Sequence, residues 1–568
     1  MKIKINLFYL VLLIYFAHPI SAYPKPVSKS DTAIQAMVVA AHPLATTIGV
    51  EILKNGGNAV DAAVAVAFAI GVVEPHASGL GGGGAMLIYL HKNNAFHYID
   101  FYMQTAQNAD TAYSKENDLF TPRAICIPGT PAGLITAVNL FGQLPLSTIL
   151  APAIQLAKSG FIVSDNLYSQ ILDKLDVITL YPQTQELFFK DDFPVAPGDT
   201  LVLSALVEVL ENISTKGSGY FYRGEFARTA AQLIQQSGGY ITYEDFASYE
   251  PILRKPVTIK YKGFDIYSSP PPQSGTTLLE ILNIYENYPA NIPIVPIDQV
   301  TMIENLSEAI FLADSDRFYF LGDPNHFDIP IDGLLDEKYA QQRFMQKADR
   351  KKTFDEKRKI SAGNPWMYVS DSCTTENNHT REEDGQHTTH ISVVDPEGNA
   401  VSLTQTIGLF FGSGFSYHGV LFNSAMSVFY KYPAPNRIGP KRRPLTTICP
   451  TMIAHEDSLF AVLGTPGGGT IFNVIAQVII RLLDYKNTPH QAVAAPRFST
   501  RINSQYFRME NDFPQATIDT LKNRGYPIQL YDKHSSYFGA VQLIIYDPLL
   551  KQYIGVSDPR RDGGAMGF

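Results

Sequence analysis

The chain has 568 residues, with 54 acidic against 45 basic side chains and a formal charge of −9. Hydrophobic residues make up 45% and charged residues 17%, a globular composition that excludes disordered and collagen-like chains. No basic arm or stripe stands out, so nucleic-acid binding is not expected, and the length suits an enzyme of several domain-sized units.

Residues 1–22 carry Lys2 and Lys4, then an apolar run over 7–17, then Ile20-Ser21-Ala22. This is the layout of a secretory signal peptide cleaved after Ala22. The run falls short of the ~20 apolar residues that span a bilayer, so the expectation is an exported chain without a stable membrane anchor, periplasmic or secreted. Cys126, Cys373 and Cys449 are far apart and form no Cys-x-x-Cys. Neither a disulfide framework nor a thiolate metal site is indicated.

After a short strand and turn over 34–45, helical spacing covers 45–54 and 58–68, split by the stop-and-restart signal Asn55-Gly56-Gly57-Asn58. Residues 62–73 are nearly all small or apolar, which predicts a helix buried on most sides. A Gly-rich loop (79–84) leads into a strand over 85–91. The middle of the chain, 130–360, reads as mostly helical, with helices over 134–141, 146–159, 203–213, 226–236 and 278–288. Residues 267–275 contain three consecutive prolines and read as a rigid surface loop. From 388 the texture turns to strands: 391–394 and 400–405 flank the turn-rich Asp395-Pro396-Glu397-Gly398-Asn399, and 459–463 precedes a helix over 471–483. Helix-rich then strand-rich order predicts an α+β or layered α/β body.

Gly79-x-Gly81-x-x-Gly84 has the form of a dinucleotide fingerprint, but a helix precedes it and a strand follows, the reverse of the required order. His387 and His390 could suggest a metal pair; no third ligand cluster supports one. Thr388-Thr389 opens a strand directly after the hydrophilic stretch 373–387. A threonine there is ordinarily a plain strand start. The other reading is self-cleavage before Thr388, which would free an α-amine with a pKa near 8 to take the proton of its own residue's hydroxyl. Gly467-Gly468, past a strand end, suit an oxyanion hole for such a nucleophile.

The chain resembles the γ-glutamyltransferase family (γ-glutamyl transpeptidases, glutathione hydrolases) over nearly its whole mature length. The likeness is carried by Asn55-Gly56-Gly57-Asn58-Ala59-Val60-Asp61-Ala62-Ala63, Glu74-Pro75-His76-Ala77-Ser78-Gly79-Leu80-Gly81-Gly82-Gly83-Gly84 and Pro128-Gly129-Thr130-Pro131-Ala132-Gly133. It continues through Ala313-Asp314-Ser315-Asp316-Arg317, Thr388-Thr389-His390-Ile391-Ser392, Arg443-Pro444-Leu445-Thr446-Thr447, Gly464-Thr465-Pro466-Gly467-Gly468 and Asp558-Pro559-Arg560-Arg561-Asp562-Gly563. The resemblance implies an N-terminal-nucleophile hydrolase, a four-layer αββα sandwich of α+β class built jointly by two processed chains. A heavy part (23–387) and a light part (388–568) would form a heterodimer by self-cleavage between His387 and Thr388. It further implies that Thr388 is the nucleophile and its freed amine the base, that Thr406 hydrogen-bonds the nucleophile and assists processing, and that Gly467 and Gly468 form the oxyanion hole. Thr446 and Thr447 would hold the substrate's α-carboxylate. No cofactor or metal is implied, and the partners are a γ-glutamyl or other amide substrate with water, an amino acid or a peptide as acceptor.

Four positions depart from the family's grip on a γ-glutamyl zwitterion. Tyr102 stands for the arginine that clamps the α-carboxylate, Gly408 for an asparagine, and Ala425 and Val428 for the glutamine and aspartate that hold the α-ammonium. Arg437, Lys441, Arg442 and Arg443 are basic groups that could substitute. A γ-glutamyltransferase-like activity is the leading expectation. The alternatives are a cephalosporin-acylase-like amidohydrolase of the same fold and a ligand-binding pseudoenzyme.

Overall fold

A computed structural model describes residues 27–289, 299–347, 353–369, 387–430, 434–456 and 458–568. The expected signal peptide and Cys373 lie outside them. Strands β1 (Ser30–Ala33) and β2 (Met37–Ala40) precede helix α1 (Pro43–Lys54), which starts where His42 accepts the Leu44 N–H and proline opens the first turn. Helix α2 (Ala59–Val73) is launched by a capping box between Asn58 and Asp61 and is buried at every position except Gly71, as its small apolar sequence predicts. Strands β3 (Gly83–Leu90) and β4 (Ala95–Phe101) follow, then helices α3 (Thr130–Phe141), α4 (Leu146–Ser159) and α5 (Ser204–Lys216).

The expected helical middle is interrupted by β5 (Ile252–Arg254), β6 (Val257–Tyr261) and β7 (Phe264–Ser268), ahead of α6 (Gly275–Glu286) and the long α7 (Gln299–Phe320). From residue 387 onward the chain contributes β8 (His387–Val394), β9 (Ala400–Gly408), β10 (Thr451–His455), β11 (Ser458–Gly464), α8 (Ile471–Leu483), β12 (Gln542–Asp547), β13 (Gln552–Ser557) and β14 (Gly564–Gly567).

Two seven-stranded sheets result. One runs β14-β2-β8-β9-β3-β4-β5, the other β1-β13-β12-β11-β10-β7-β6. Period-two alternation sorts the faces. Ile391 and Val393 of β8 pack with α2 and its neighbours, whereas Val394 joins the core shared with the second sheet. Polar bonds also cross between the sheets: Ser392 Oγ donates to the Gln542 carbonyl at 2.9 Å and Ser402 Oγ to the Leu463 carbonyl at 3.0 Å. Helices α6, α7 and α8 cover the far face of the second sheet through Leu278, Ile310 and Ile475. The order is helices, sheet, sheet, helices, the expected αββα sandwich.

The expectation of a surface loop over 267–275 is corrected. Ser268, Ser269, Gln273 and Ser274 are buried. The segment pairs with 446–448 instead: the Thr446 N–H donates to the Pro272 carbonyl at 2.9 Å and the Ser274 N–H to the Ile448 carbonyl at 3.1 Å. Those bonds supply partners for the few donors that three prolines leave, so the stretch serves as an inner wall.

Candidate active site

The site is built where the strand ends of both sheets meet. Thr388, second residue of β8, is buried at a register shift: His387 pairs with Gly408 and Thr389 with Gln405, so Thr388 faces the two residues Thr406 and Ile407. Such a bulge re-aims the side chain at a sheet rim. Thr406 Oγ1 accepts the Gly408 N–H at 2.8 Å, and Gly408 needs its φ of 89° for that turn. A side chain at Gly408 would bring its Cβ to 2.7 Å from Ser424 Oγ, so that hydroxyl would have to turn away.

The second sheet reaches the same end. His390, two residues along from Thr388, lies against Gly464 so closely that a Cβ there would sit 2.2 Å from the ring. Beyond Gly464 the chain bends through Gly467 (φ 133°) and Gly468 (φ 54°) into the first turn before α8. Two glycine amides at the positive end of a 13-residue helix are suited to an oxyanion. Thr446 and Thr447 precede β10 on that side. Thr447 Oγ1 is buried and has no hydrogen-bond partner among the described residues. Ser274 Oγ donates to the Thr446 carbonyl at 2.7 Å.

Tyr102 is fully buried, and its phenol bonds to the Thr446 side chain; burial raises its pKa, that bond opposing. Its backbone is fixed from three sides: the N–H donates to Asp100 Oδ1 at 3.0 Å, and the carbonyl accepts from Tyr249 Oη at 2.9 Å and Arg443 Nε at 3.3 Å. Arg443 is committed to this frame. Its guanidinium stands 3.7 Å from Asp100 Oδ2 and donates to the Glu250 carbonyl at 2.7 Å. Arg442 stacks over Phe327 with 4.8 Å to the ring centre. Ala425 and Val428 form one short turn whose ends are held by Asn423 Oδ1, on the Ala425 N–H, and Asn436 Nδ2, on the Val428 carbonyl.

Sequence reasoning missed the groups behind Thr388. Arg561 Nη1 donates to the Thr388 carbonyl at 3.2 Å. Thr389 Oγ1 donates to Glu74 Oε2 at 2.6 Å. Burial raises the Glu74 carboxyl, with the Thr389 bond and Arg561 pulling it back. Burial pushes His76 and His390 down to about 3 and His42 down to about 4, so all three are neutral at pH 7. His390 holds Thr404 Oγ1 at 2.8 Å and Ser392 Oγ at 3.2 Å, so its ring is a hydrogen-bonded floor between the sheets. The motif Asp558-Pro559-Arg560-Arg561 was visible in sequence; its contact with Thr388, 173 residues away, was not. Among the described residues no group of three His, Cys, Asp or Glu side chains is arranged to hold a metal.

An αββα sandwich with a threonine at a strand start, opposite a glycine turn at a helix N-terminus, defines an N-terminal-nucleophile hydrolase fold. The pattern of the gamma-glutamyltranspeptidase family matches residues 45–568. The glutathione hydrolase proenzyme of Escherichia coli K12 is 34% identical over 555 residues, covering 93% of this chain and 91% of the relative. An acylase ACY 1 proenzyme of Pseudomonas sp. V22 is 31% identical, covering 88% of each. Among solved structures, the cephalosporin acylase from Bacillus halodurans superposes with a TM-score of 0.84 at 26% identity, covering 97% of this chain and 99% of that one. The chain therefore belongs to the gamma-glutamyltranspeptidase family, and it is an enzyme.

Proposed function

We propose that the chain is an exported, self-processing N-terminal-threonine enzyme that cleaves γ-glutamyl amides such as glutathione, by hydrolysis or transfer, through a Thr388 acyl-enzyme. In processing, Thr388 Oγ attacks the His387 carbonyl carbon. The C–N bond to Thr388 breaks as its nitrogen takes a proton, and water opens the resulting ester to leave a His387 carboxylate and a free Thr388 amine. The parts 23–387 and 388–568 stay together as a heterodimer. In turnover the amine takes the Oγ proton while Oγ attacks the substrate amide, and the amine product leaves with a proton. Water, an amino acid or a peptide then takes the acyl group. Gly467 and Gly468 N–H groups hold the oxyanion, Thr406 positions the nucleophile, and Thr446 and Thr447 hold the acyl end.

The observations that support this reading are Thr388 at a register shift opposite Thr406 and, from the other sheet, Gly464 against His390 with the Gly467-Gly468 turn beyond it. No described helix is long and apolar enough to cross a membrane.

A second reading is favoured by the acyl pocket. Tyr102 stands where the family's clamp would be, its phenol is spent on Thr446, Arg443 is tied to Asp100, and Ala425 and Val428 carry no charge. This is the chemistry of an acylase for amides whose acyl part lacks an ammonium, and an acylase is among the relatives. Glutathione, a γ-glutamyl anilide and neutral or glutaryl amides, offered to the processed enzyme under one condition, decide between them. Turnover of γ-glutamyl compounds supports the first reading; turnover confined to the other amides supports the second. Turnover of none overturns both.

A further inference from the structure

Arg561 touches the residue proposed as nucleophile through its backbone carbonyl. Nη1 donates to the Thr388 carbonyl oxygen at 3.2 Å. In the processed enzyme that carbonyl is separated from the free α-amine by a single carbon, so covalent geometry keeps the guanidinium nitrogen within about 7 Å of the amine nitrogen. An ordinary α-amine has a pKa near 8 and is mostly protonated at pH 7, which makes it a poor base.

We propose that Arg561 is the positioning residue that keeps the freed Thr388 amine unprotonated near neutral pH, against the opposing charge of Glu74. The inference rests on Thr388 being the new N-terminus. The charged and titratable groups around the amine come from every packed element. Glu74 and His76 follow α2, His42 precedes α1, Asp558 and Asp562 flank Arg561, and His390 lies on β8 itself. The histidines are neutral above pH 5. The nearby carboxylates attract the guanidinium and have further partners: Asp558 pairs with Arg497 and Arg560, Asp562 accepts from Ser164 at 2.9 Å, and Glu74 accepts from Thr389 at 2.6 Å. Arg561 is thus the cation in direct contact with Thr388. A unit charge at that distance, under an effective dielectric between that of protein surface and water, lowers the pKa of a neighbouring ammonium by about one unit.

The test uses the processed wild-type enzyme with Arg561→Met, Arg561→Lys and Glu74→Gln. Two readouts follow the amine: the acid limb of kcat/KM, and the pH dependence of acylation of the light-chain N-terminus by a small reagent, which needs no substrate. Removing the cation (Arg561→Met) moves both upward by about one pH unit and lowers kcat/KM roughly tenfold at acid pH, with the alkaline plateau kept. Arg561→Lys restores the wild-type limb, and Glu74→Gln moves it downward. An unmoved limb in Arg561→Met, or equal shifts in the Met and Lys variants, overturns the proposal. If Arg561→Met remains uncut, Glu74→Gln decides by its downward shift or the lack of one. Sequencing the same preparations separates the two ideas. A light chain that does not begin at Thr388 overturns the underlying reading, whereas one that does, with an immobile limb, overturns only the role of Arg561.

Discussion

His390 makes the stability of the site depend on pH in a way that one substitution isolates. Its ring is fully buried between the sheets, bonded to Thr404 and Ser392, and burial pushes its pKa from 6.5 down to about 3. Below pH 6.5 the unfolded chain binds a proton that the folded one refuses until about pH 3, so stability falls as pH falls through that window. At pH 5 the difference is ~1.5 units, or about 2 kcal/mol at 1.36 kcal/mol per unit. The assay is urea unfolding at pH 7 and pH 5, in an uncut Thr388→Ala background so that one chain unfolds. The same measurement on the added His390→Asn removes this group's titration from both states. Absolute stability will drop in that variant, because a packed ring is lost; the informative quantity is the change with pH. The single variant should lose about 2 kcal/mol more on acidification than the double variant. Parallel losses would mean that His390 titrates normally in the folded state and that the space between the sheets at Thr388 is wet.

Two further outcomes concern the acyl pocket. Tyr102→Arg together with Val428→Asp should raise kcat/KM for γ-glutamyl amides by roughly 30-fold or more, since a buried charge contact contributes about 2–5 kcal/mol; no gain in parallel assays on glutathione would refute the specificity assignment of these positions. Thr447→Val removes a buried hydroxyl that has no partner among the described residues, so thermal unfolding should show unchanged or raised stability, by up to ~1–3 kcal/mol, while KM rises. Lost stability with an unchanged KM would make Thr447 structural.

The helices 146–159 and 471–483 were legible because one face of each is apolar at helical spacing, and the structure places them at Leu146–Ser159 and Ile471–Leu483. The hairpin of β8 and β9 was legible from its Asp395–Asn399 turn, where Asp395 accepts the Glu397 and Asn399 N–H groups. Helix α7 was not read, since it is buried on all sides and its charges are interior: Asp314 pairs with Arg501 at 2.8 Å and Asp316 with Arg343 at 2.9 Å. No periodic stripe marks such a helix. Strands β6 and β7 were missed although they form a local hairpin closed at Tyr261 and Phe264; β7 is placed in the sheet by β10, nearly 200 residues onward, a tertiary pairing that local spacing does not encode. At the site, Thr388, Thr406, Thr446, Thr447 and the two glycines were named from sequence; the structure sets Thr388 opposite Thr406 in the β8–β9 register and ties Thr446 to Tyr102. The contacts of Arg561, Glu74 and the Asp100–Arg443 pair were not legible, because each reaches across the fold and local spacing does not encode it.

The central claim is that the chain cuts itself before Thr388 and then works with that residue as nucleophile and base. Intact mass and N-terminal sequencing of the purified protein under denaturing conditions test it directly. The account predicts two chains, one beginning at Thr388, and a single uncut, inactive chain for Thr388→Ala. A wild-type protein that remains one chain, or a Thr388→Ala variant that is cut normally, would contradict it.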